Sequence, residues 1–438
     1  MRRLYSVLIY CAVPFAFAAV LWRGLRDRSY WQGLRERFAW ASPAGAAPAI
    51  WLHAVSLGEM TAAAPLVRAL RARHPQVPLL LTSATPTGRA RARALFGDCA
   101  DVRFLPYDTP GAVARFLTAV RPRLAIIMET ELWPNLFGEC QRRGVPLVLA
   151  NARLSEKSAA RYKRFGSLFR GIFSASSLIA AQTRADADRF VAIGARRDRT
   201  HLVGNIKFDV EADAGVMHRG HELRASVGAM RPVWIAGSTH AGEEEQVLAA
   251  QRQLETHRPD ALLLLVPRHP DRFPAVAALL DRRQFRFARR SSGGAADGGM
   301  QVLLVDTVGE LAALYAAADV AFVGGSLVPV GGHNLLEPAA LGIPVLTGPY
   351  NSNGKDIAEL LMREGAAQQV NDAPALAVAL ARLLADPAER RLIGAIGPRI
   401  VESNRGAVAR LLALIETLLP DPPVPRDPGS AAGRRAGR

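Results

Sequence analysis

Residues 51–60 read WLHAVSLGEM, and the fold follows from how that stretch divides. Residues 51–55 are an apolar run with the length of a buried strand. Ser56, Leu57, Gly58 and Glu59 then turn the chain into a helix with Leu66 and Leu70 on one face. The same unit recurs outward. Strands are expected at 78–81, 102–105, 124–128, 145–150 and 177–180, and helices at 60–72 and 86–95. Strand signals weaken over 205–231, and the pattern restarts at 233–236, 261–266, 302–305, 320–323 and 345–347. Short buried strands alternating with helices of about 10–15 residues indicate parallel sheets covered on both faces. The expected fold is α/β, with two Rossmann-like doubly wound domains at 49–206 and 207–422, the linker counted in the second. A length of 438 residues, half of them hydrophobic, suits two cores. In such sheets ligands bind at the carboxyl ends of strands, so the chemistry is sought there, in a crevice faced by both domains.

Outside these domains the chain changes character. Residues 4–22 are a continuous apolar stretch, preceded by Arg2 and Arg3 and followed by Arg23, Arg26 and Arg28. At 1.5 Å per residue it just crosses a hydrocarbon core of about 30 Å. No small-residue cleavage motif follows, and Pro14 is tolerable in a membrane helix. Residues 1–28 are therefore expected to anchor the chain, as one span or as a helix in the interface. A buried N-terminal helix is the plainer alternative. Residues 42–48 form a short Pro/Ala/Gly link, 291–299 a Gly/Ser/Ala loop, and the Pro/Gly/Arg-rich 423–438 a disordered basic tail. The net charge of +16 attracts polyanions. Without finger spacing or interleaved aromatic and basic residues, nucleic acid is disfavoured against anionic lipid or phosphorylated substrates. Cys11, Cys99 and Cys140 are too few and too scattered for a disulfide framework.

Three segments of the first domain carry candidate chemistry. Glu59 lies near the first turn of its helix, where it either complements the helix dipole or accepts a proton from an attacking hydroxyl. Gly58 permits a tight turn, Ser56 caps the helix or touches substrate, and His53 is a core or site-neighbouring histidine on the face of Trp51. In TSATPTG (82–88) the hydroxyls of Thr82, Ser83, Thr85 and Thr87 suit a sugar or phosphate loop and, equally, helix capping. IIMETELWPNL (126–136) places Glu129 and Glu131 directly after a strand. If the extended backbone continues, they share a face and raise one another's pKa. Two carboxylates with no nearby histidine are a poor metal set, so no metal is expected. Trp133 and Pro134 read as packing and helix initiation.

In the second domain GSTHAGEEE (237–245) offers backbone and hydroxyl donors at Ser238 and Thr239 for a phosphate, with Glu243 to Glu245 as a structural negative first turn. PRHP (267–270) puts Arg268 and His269 after a strand, where arginine can grip a phosphate or carboxylate with paired hydrogen bonds. GGSLVPVGGHNLLEPAALGIPVL (324–346) carries Gly331, Gly332, Asn334 and Glu337 ahead of a helix at 335–341. Asn334 and Glu337 have capping-box spacing, and the same groups suit a nucleotide phosphate and ribose. The loop is neither GxGxxG nor a P-loop, which disfavours nicotinamide and ATP enzymes.

Taken in order, WLHAVSLGEM, METELWPNL, GNIKFD (204–209), AGSTHAGEE, PRHP and GGHNLLEP resemble the 3-deoxy-manno-octulosonic acid (Kdo) transferase family of lipopolysaccharide synthesis, over roughly 51–402. The resemblance implies a GT-B fold without a required metal or other cofactor. It implies a CMP-Kdo donor held by the C-terminal domain, and a lipid IVA acceptor approaching the N-terminal one. By it Glu59 is the catalytic base, and Glu129 and Glu131 organise the pocket with Ser56 and Gly58. Lys207, Ser238, Thr239, Arg268, Gly331, Gly332, Asn334 and Glu337 belong to the donor side. An inverting transfer to the 6′-hydroxyl of the tetraacyl disaccharide bisphosphate is then expected, on the cytoplasmic face of a Gram-negative inner membrane, beside anionic lipid. A UDP-sugar transferase with a lipid acceptor fits the two-domain pattern equally but not the motifs. A UDP-sugar epimerase has no need of an anchor, and a lipid-binding scaffold has no need of the glycine loops and carboxylates.

Overall fold

The computed structural model describes residues 1–40, 48–164, 166–209, 214–293 and 299–419. Most of the 42–48 link, the centre of the 291–299 loop and the 423–438 tail lie outside the described residues. The chain divides into two units. One holds residues up to Ile206 together with Gly406 onward; the other holds Lys207–Arg405.

The first unit is a seven-stranded, all-parallel sheet: β1 (Ile50–His53), β2 (Leu79–Ser83), β3 (Asp101–Phe104), β4 (Leu124–Met128), β5 (Leu147–Ala152), β6 (Leu178–Ala181) and β7 (Thr200–Leu202), in the order β3-β2-β1-β4-β5-β6-β7. The chain winds outward from β1 in one direction and from β4 in the other, so β1 and β4 flank the point where strand order reverses. Alternation along β1 feeds both faces. Ile50 and Leu52 join the layer under helix α2 (Leu57–Arg73), and Trp51 packs edge-on to Phe116 on the other side. Thr-Pro pairs start the next helices. Thr85 caps α3 (Pro86–Phe96) and Thr109 caps α4 (Pro110–Val120), each followed by a proline whose missing N–H costs nothing there. Helix α5 (Pro134–Arg142) has no cap of its own. Asp108, from the loop before α4, supplies it by accepting the N–H groups of Asn135 and Leu136 at 3.0 and 2.8 Å.

The second unit repeats the architecture with β8 (Val233–Thr239), β9 (Leu262–Pro267), β10 (Phe287–Arg289), β11 (Val302–Leu304), β12 (Val320–Val323), β13 (Val345–Thr347) and β14 (Ala367–Gln369), ordered β10-β11-β9-β8-β12-β13-β14 and all parallel. Here β8 and β12 flank the reversal. The sequence reading ended this domain at 422, but helix Ala407–Glu416 returns to the first unit. Its Ala407, Leu411 and Ile415 are buried in the layer with Ile50 and Leu52.

The N-terminal helix α1 (Arg2–Arg26) is long and apolar enough to cross a membrane, and none of its most apolar window is buried. Leu4, Val7, Leu8, Phe15, Leu21 and Trp22 are exposed, with Trp31 and Trp40 exposed beyond its end. One face touches the first unit: the Ser6 hydroxyl donates to Asn135 Oδ1 at 2.8 Å, and Phe17 meets Phe38 edge-on.

Candidate active site

In the first unit the site begins where β1 ends. Ser56 is extended and caps α2, its Oγ accepting the Glu59 N–H at 3.3 Å. The Glu59 carboxylate reaches back. It accepts the Val55 N–H at 2.9 Å and the Ser56 hydroxyl at 3.2 Å, a reciprocal capping arrangement that turns it toward the strand end. Capping therefore aims this carboxylate, and the capping and chemical readings of Glu59 do not compete. Gly58 has no positive φ and is exposed. A Cβ there meets only Ser56 Oγ, at 3.9 Å, so the turn does not demand glycine.

The hydroxyls after β2 hold this loop. Ser83 and Thr85 both donate to the Val55 carbonyl, at 2.6 and 3.1 Å, and Thr85 also accepts the Gly88 N–H. Gly88 is the glycine that matters. A Cβ there would stand 2.2 Å from Ser83 Oγ and 3.1 Å from the Ser56 carbonyl carbon. Thr82 is buried, its hydroxyl shared between Trp51 Nε1 and His53 Nδ1. His53 is likewise fully buried. Burial lowers its pKa to about 4, so it stays neutral and structural.

The chain does not continue extended past β4. Glu129 takes a left-handed φ of 55°, unusual for a residue with a side chain. Its N–H still bonds the Ala150 carbonyl at 2.8 Å, and the backbone then turns through Thr130. The shared face expected from an extended i, i+2 pair is therefore replaced by a turn, yet Glu131 still feels the charges of both Glu59 and Glu129. The Glu131 pKa is pushed up to about 7, first by burial and then by the charges of Glu59 and Glu129. Residues 70 positions apart in sequence thus form one acidic cluster at the reversal point of the sheet. Trp133, beside it, is half-buried, and its Nε1 is buried with no hydrogen-bond partner.

In the second unit β8 ends in a bulge at Gly237/Thr239, with Ser238 at φ 59°. The Thr239 hydroxyl is buried and faces Glu244 Oε1 at 3.5 Å, and Glu244 is paired with Arg272 at 3.0 Å. Glu243 does more than provide a negative first turn. It is fully buried, and its carboxylate accepts four backbone N–H groups: His240 at 3.2 Å, Gly325 at 2.7 Å, Ser326 at 3.0 Å and Leu327 at 2.9 Å. This one side chain ties the loop after β8 to the loop after β12. Sequence reasoning missed it because three of its four donors lie more than 80 residues away.

Arg268 follows β9, its N–H bonded to the Thr239 carbonyl at 3.0 Å. Its charge is felt by His240, His333 and Tyr315, and Tyr315 also senses Glu337, so these groups gather at one end of the sheet. Gly331 and Gly332 have φ of 107° and 74°, and a Cβ on either would strike Ser352 and Asn353 or Asn351. The helix after them is short, Leu336–Ala340. Asn334 accepts the Leu336 N–H at 3.1 Å and donates to Glu337 Oε1 at 3.1 Å. Lys207 sits in the 3-10 turn Ile206–Phe208, at the division between the units. Among the described residues no three His, Cys, Asp or Glu side chains are arranged to hold a metal ion.

Comparison with known proteins extends this picture. A family described as 3-deoxy-D-manno-octulosonic-acid transferase (kdotransferase) matches residues 32–210. A 3-deoxy-D-manno-octulosonic acid transferase of Haemophilus influenzae is 43% identical over 371 residues, covering 84% of this chain and 87% of the relative. One from Bordetella pertussis is 40% identical over 387 residues, covering 86% and 89%. Among solved structures, a putative UDP-N-acetylglucosamine 2-epimerase from Listeria monocytogenes aligns with a TM-score of 0.55 at 15% identity, over 87% of this chain and 99% of that one. At that identity the likeness speaks for the fold, which is of the GT-B type.

Proposed function

The chain belongs to the Kdo transferase family of glycosyltransferases, and on that premise we propose that it moves Kdo from CMP-β-Kdo to the 6′-hydroxyl of the tetraacyl disaccharide 1,4′-bisphosphate (lipid IVA), with inversion and release of CMP. The observation that carries the chemistry is the acidic cluster at the end of β4. Glu59, fixed by Val55 and Ser56, accepts the proton of the attacking hydroxyl. Glu131, with its pKa near 7, lets the cluster hold one proton fewer or more at neutral pH without rearrangement. Positioning of the acceptor over that carboxylate supplies much of the rate.

On the donor side Arg268, its N–H bonded to Thr239 at the end of β8, takes the growing negative charge of the departing phosphate. We assign Asn334 and Glu337 to the nucleotide. We assign the reaction to protein groups alone, with no metal. Helix α1, its exposed apolar side chains and the tryptophans beyond it support an anchor in the inner membrane, with the catalytic units at the cytoplasmic face near anionic lipid.

The test is transfer itself. Full-length protein in detergent, supplied with CMP-Kdo generated in situ and the tetraacyl precursor, is expected to add one or more Kdo mass increments to the lipid, with or without EDTA. Glu59→Ala is expected to lose them. Folded wild-type protein that leaves the lipid unchanged while turning over a UDP-sugar would overturn the assigned donor and acceptor.

A further inference from the structure

Three histidines that the mechanism above does not use meet at the donor end of the second unit. His240 follows β8, His269 follows Arg268, and His333 follows Gly332. The Nε2 atoms of His240 and His333 are 2.8 Å apart. Their rings are parallel within 7° with centres 5.1 Å apart, about the sum of two ring radii and that hydrogen bond. The imidazoles therefore meet head to head in one plane rather than face to face.

Such a contact admits one proton between the two nitrogens, so one ring donates and the other accepts. It tolerates one further proton on the pair, at an outer Nδ1, and no second one while the bond holds. The fold enforces the pairing. Gly325 has φ +68°, and a Cβ there would lie 3.0–3.1 Å from the His333 ring and 3.4 Å from His240. The Gly332 N–H bonds the Gly325 carbonyl at 2.8 Å, and the Glu243 carboxylate accepts from both His240 and Gly325.

The groups facing the pair are Arg268, His269 with its ring 5.3 Å from His240, and Arg272. The Arg272 charge is balanced by Glu244, and that of Glu243 by its four N–H donors. In these surroundings an added proton is unwelcome. Burial, then Arg268 and the neighbouring rings, hold His333 down at about 3, and burial lowers His240 as well. A docked anion reverses that balance.

We propose that His240 and His333 form a proton-accepting anion subsite, in which docking of the donor's phosphate beside Arg268 loads one solvent proton onto the pair. The loaded pair then gives the phosphate a charged N–H donor besides Arg268, a bond stronger than a neutral imidazole can make. No covalent bond to substrate is involved, and the proton returns to solvent when CMP leaves. The inference rests on the donor reading above and is separable from it.

The experiment is calorimetric titration of the full-length protein in detergent, at about pH 7, in buffers of low and high ionisation enthalpy. The ligands are CMP, cytidine and free Kdo, and the proteins are wild type, His240→Gln and His333→Gln. Ionisation of CMP itself cancels in the difference between proteins. We expect wild type to take up about one proton more than either variant on binding CMP, none with cytidine, and about tenfold weaker CMP binding in the variants.

Equal proton uptake by wild type and variants, with CMP bound, would overturn the subsite and leave the donor assignment standing. Uptake elicited by Kdo but not by CMP would overturn its assignment to the phosphate. Wild-type protein that binds no CMP would sink the donor reading and the subsite together. If neither variant folds, ¹⁵N spectra of the wild-type histidines decide. Neutral tautomers that become imidazolium on adding CMP support the pair, and rings that stay neutral with CMP bound overturn it.

Discussion

The ends of β1 and β8 are the same place in two copies of one topology, yet they use glutamate in opposite ways. Each strand lies at the reversal point of its sheet, beside β4 or β12, and each is followed within a few residues by a glutamate at the start of a helix. Glu243 meets four N–H groups and no other carboxylate among its partners. Glu59 accepts the Val55 N–H and the Ser56 hydroxyl, and its charge acts on Glu131 together with that of Glu129. A carboxylate surrounded by donors is a fixed structural anion. A carboxylate set among other carboxylates is the one placed for proton exchange. What separates the brace from the group proposed as the base is the loop opposite: glycine-rich after β12, acidic after β4.

Exchanging each glutamate for glutamine tests that contrast. Glu59→Gln keeps an acceptor for the Val55 N–H, so the fold should stand while the base is lost. Transfer is expected to fall about 10²–10⁴-fold with little change in melting temperature. Glu243→Gln should do the reverse in order of cause. An amide cannot accept four N–H groups and brings two donors of its own into a buried cluster. The expected cost is about 3 kcal/mol of stability, with donor binding lost only as the loop loosens. If Glu59→Gln destabilised the protein and Glu243→Gln left it intact, the division of roles would be the wrong way round.

Glu131 sharpens the comparison through pH. An unfolded glutamate titrates near ~4.3, whereas folded Glu131 holds its proton to about 7. Between those values the folded protein binds more protons than the unfolded one, so this site loses stability as pH rises through that window. Glu131→Gln removes the penalty. It should raise the stability of the protein by about 1–2 kcal/mol at about pH 8 and change it little at about pH 4, while lowering transfer. Thermal melts at the two pH values check this. A variant that gained nothing at the higher pH would mean that burial and the neighbouring charges are not acting on Glu131.

How much of this was legible beforehand follows from the range of each interaction. The central strands β1, β4, β8 and β12 stand out because burial on both faces forces continuous apolar runs. Edge strands β7, β10 and β14 have three residues each and mixed exposure, which leaves no such run to read. Glu129, Glu131 and Arg268 stand out by position directly after strands, and Glu59 by its place in the first turn of a helix. The turn at Glu129 was not, since a left-handed non-glycine residue gives no local signal. Glu243, Asp108 and the His240–His333 pair depend on partners 27 to 93 residues away, and helix Ala407–Glu416 on a sheet laid down at the other end of the chain.

The smallest effects separate backbone from side chain at the two strand ends. Ser56 caps α2 and donates to Glu59, so Ser56→Ala should cost about 1 kcal/mol and reduce transfer. Thr239 looks equivalent in sequence, a hydroxyl just after the strand, but its Oγ1 is fully buried and makes only a 3.5 Å contact to a glutamate that Arg272 already holds. A bond that long contributes little. Thr239→Val, nearly the same in shape, is therefore expected to change stability by no more than about 0.5 kcal/mol and CMP affinity by less than about twofold. A large loss of CMP binding in Thr239→Val would show that the hydroxyl turns outward to the phosphate when donor is present. The donor loop would then carry a ligand-facing hydroxyl, as the first unit carries the carboxylate proposed as the base.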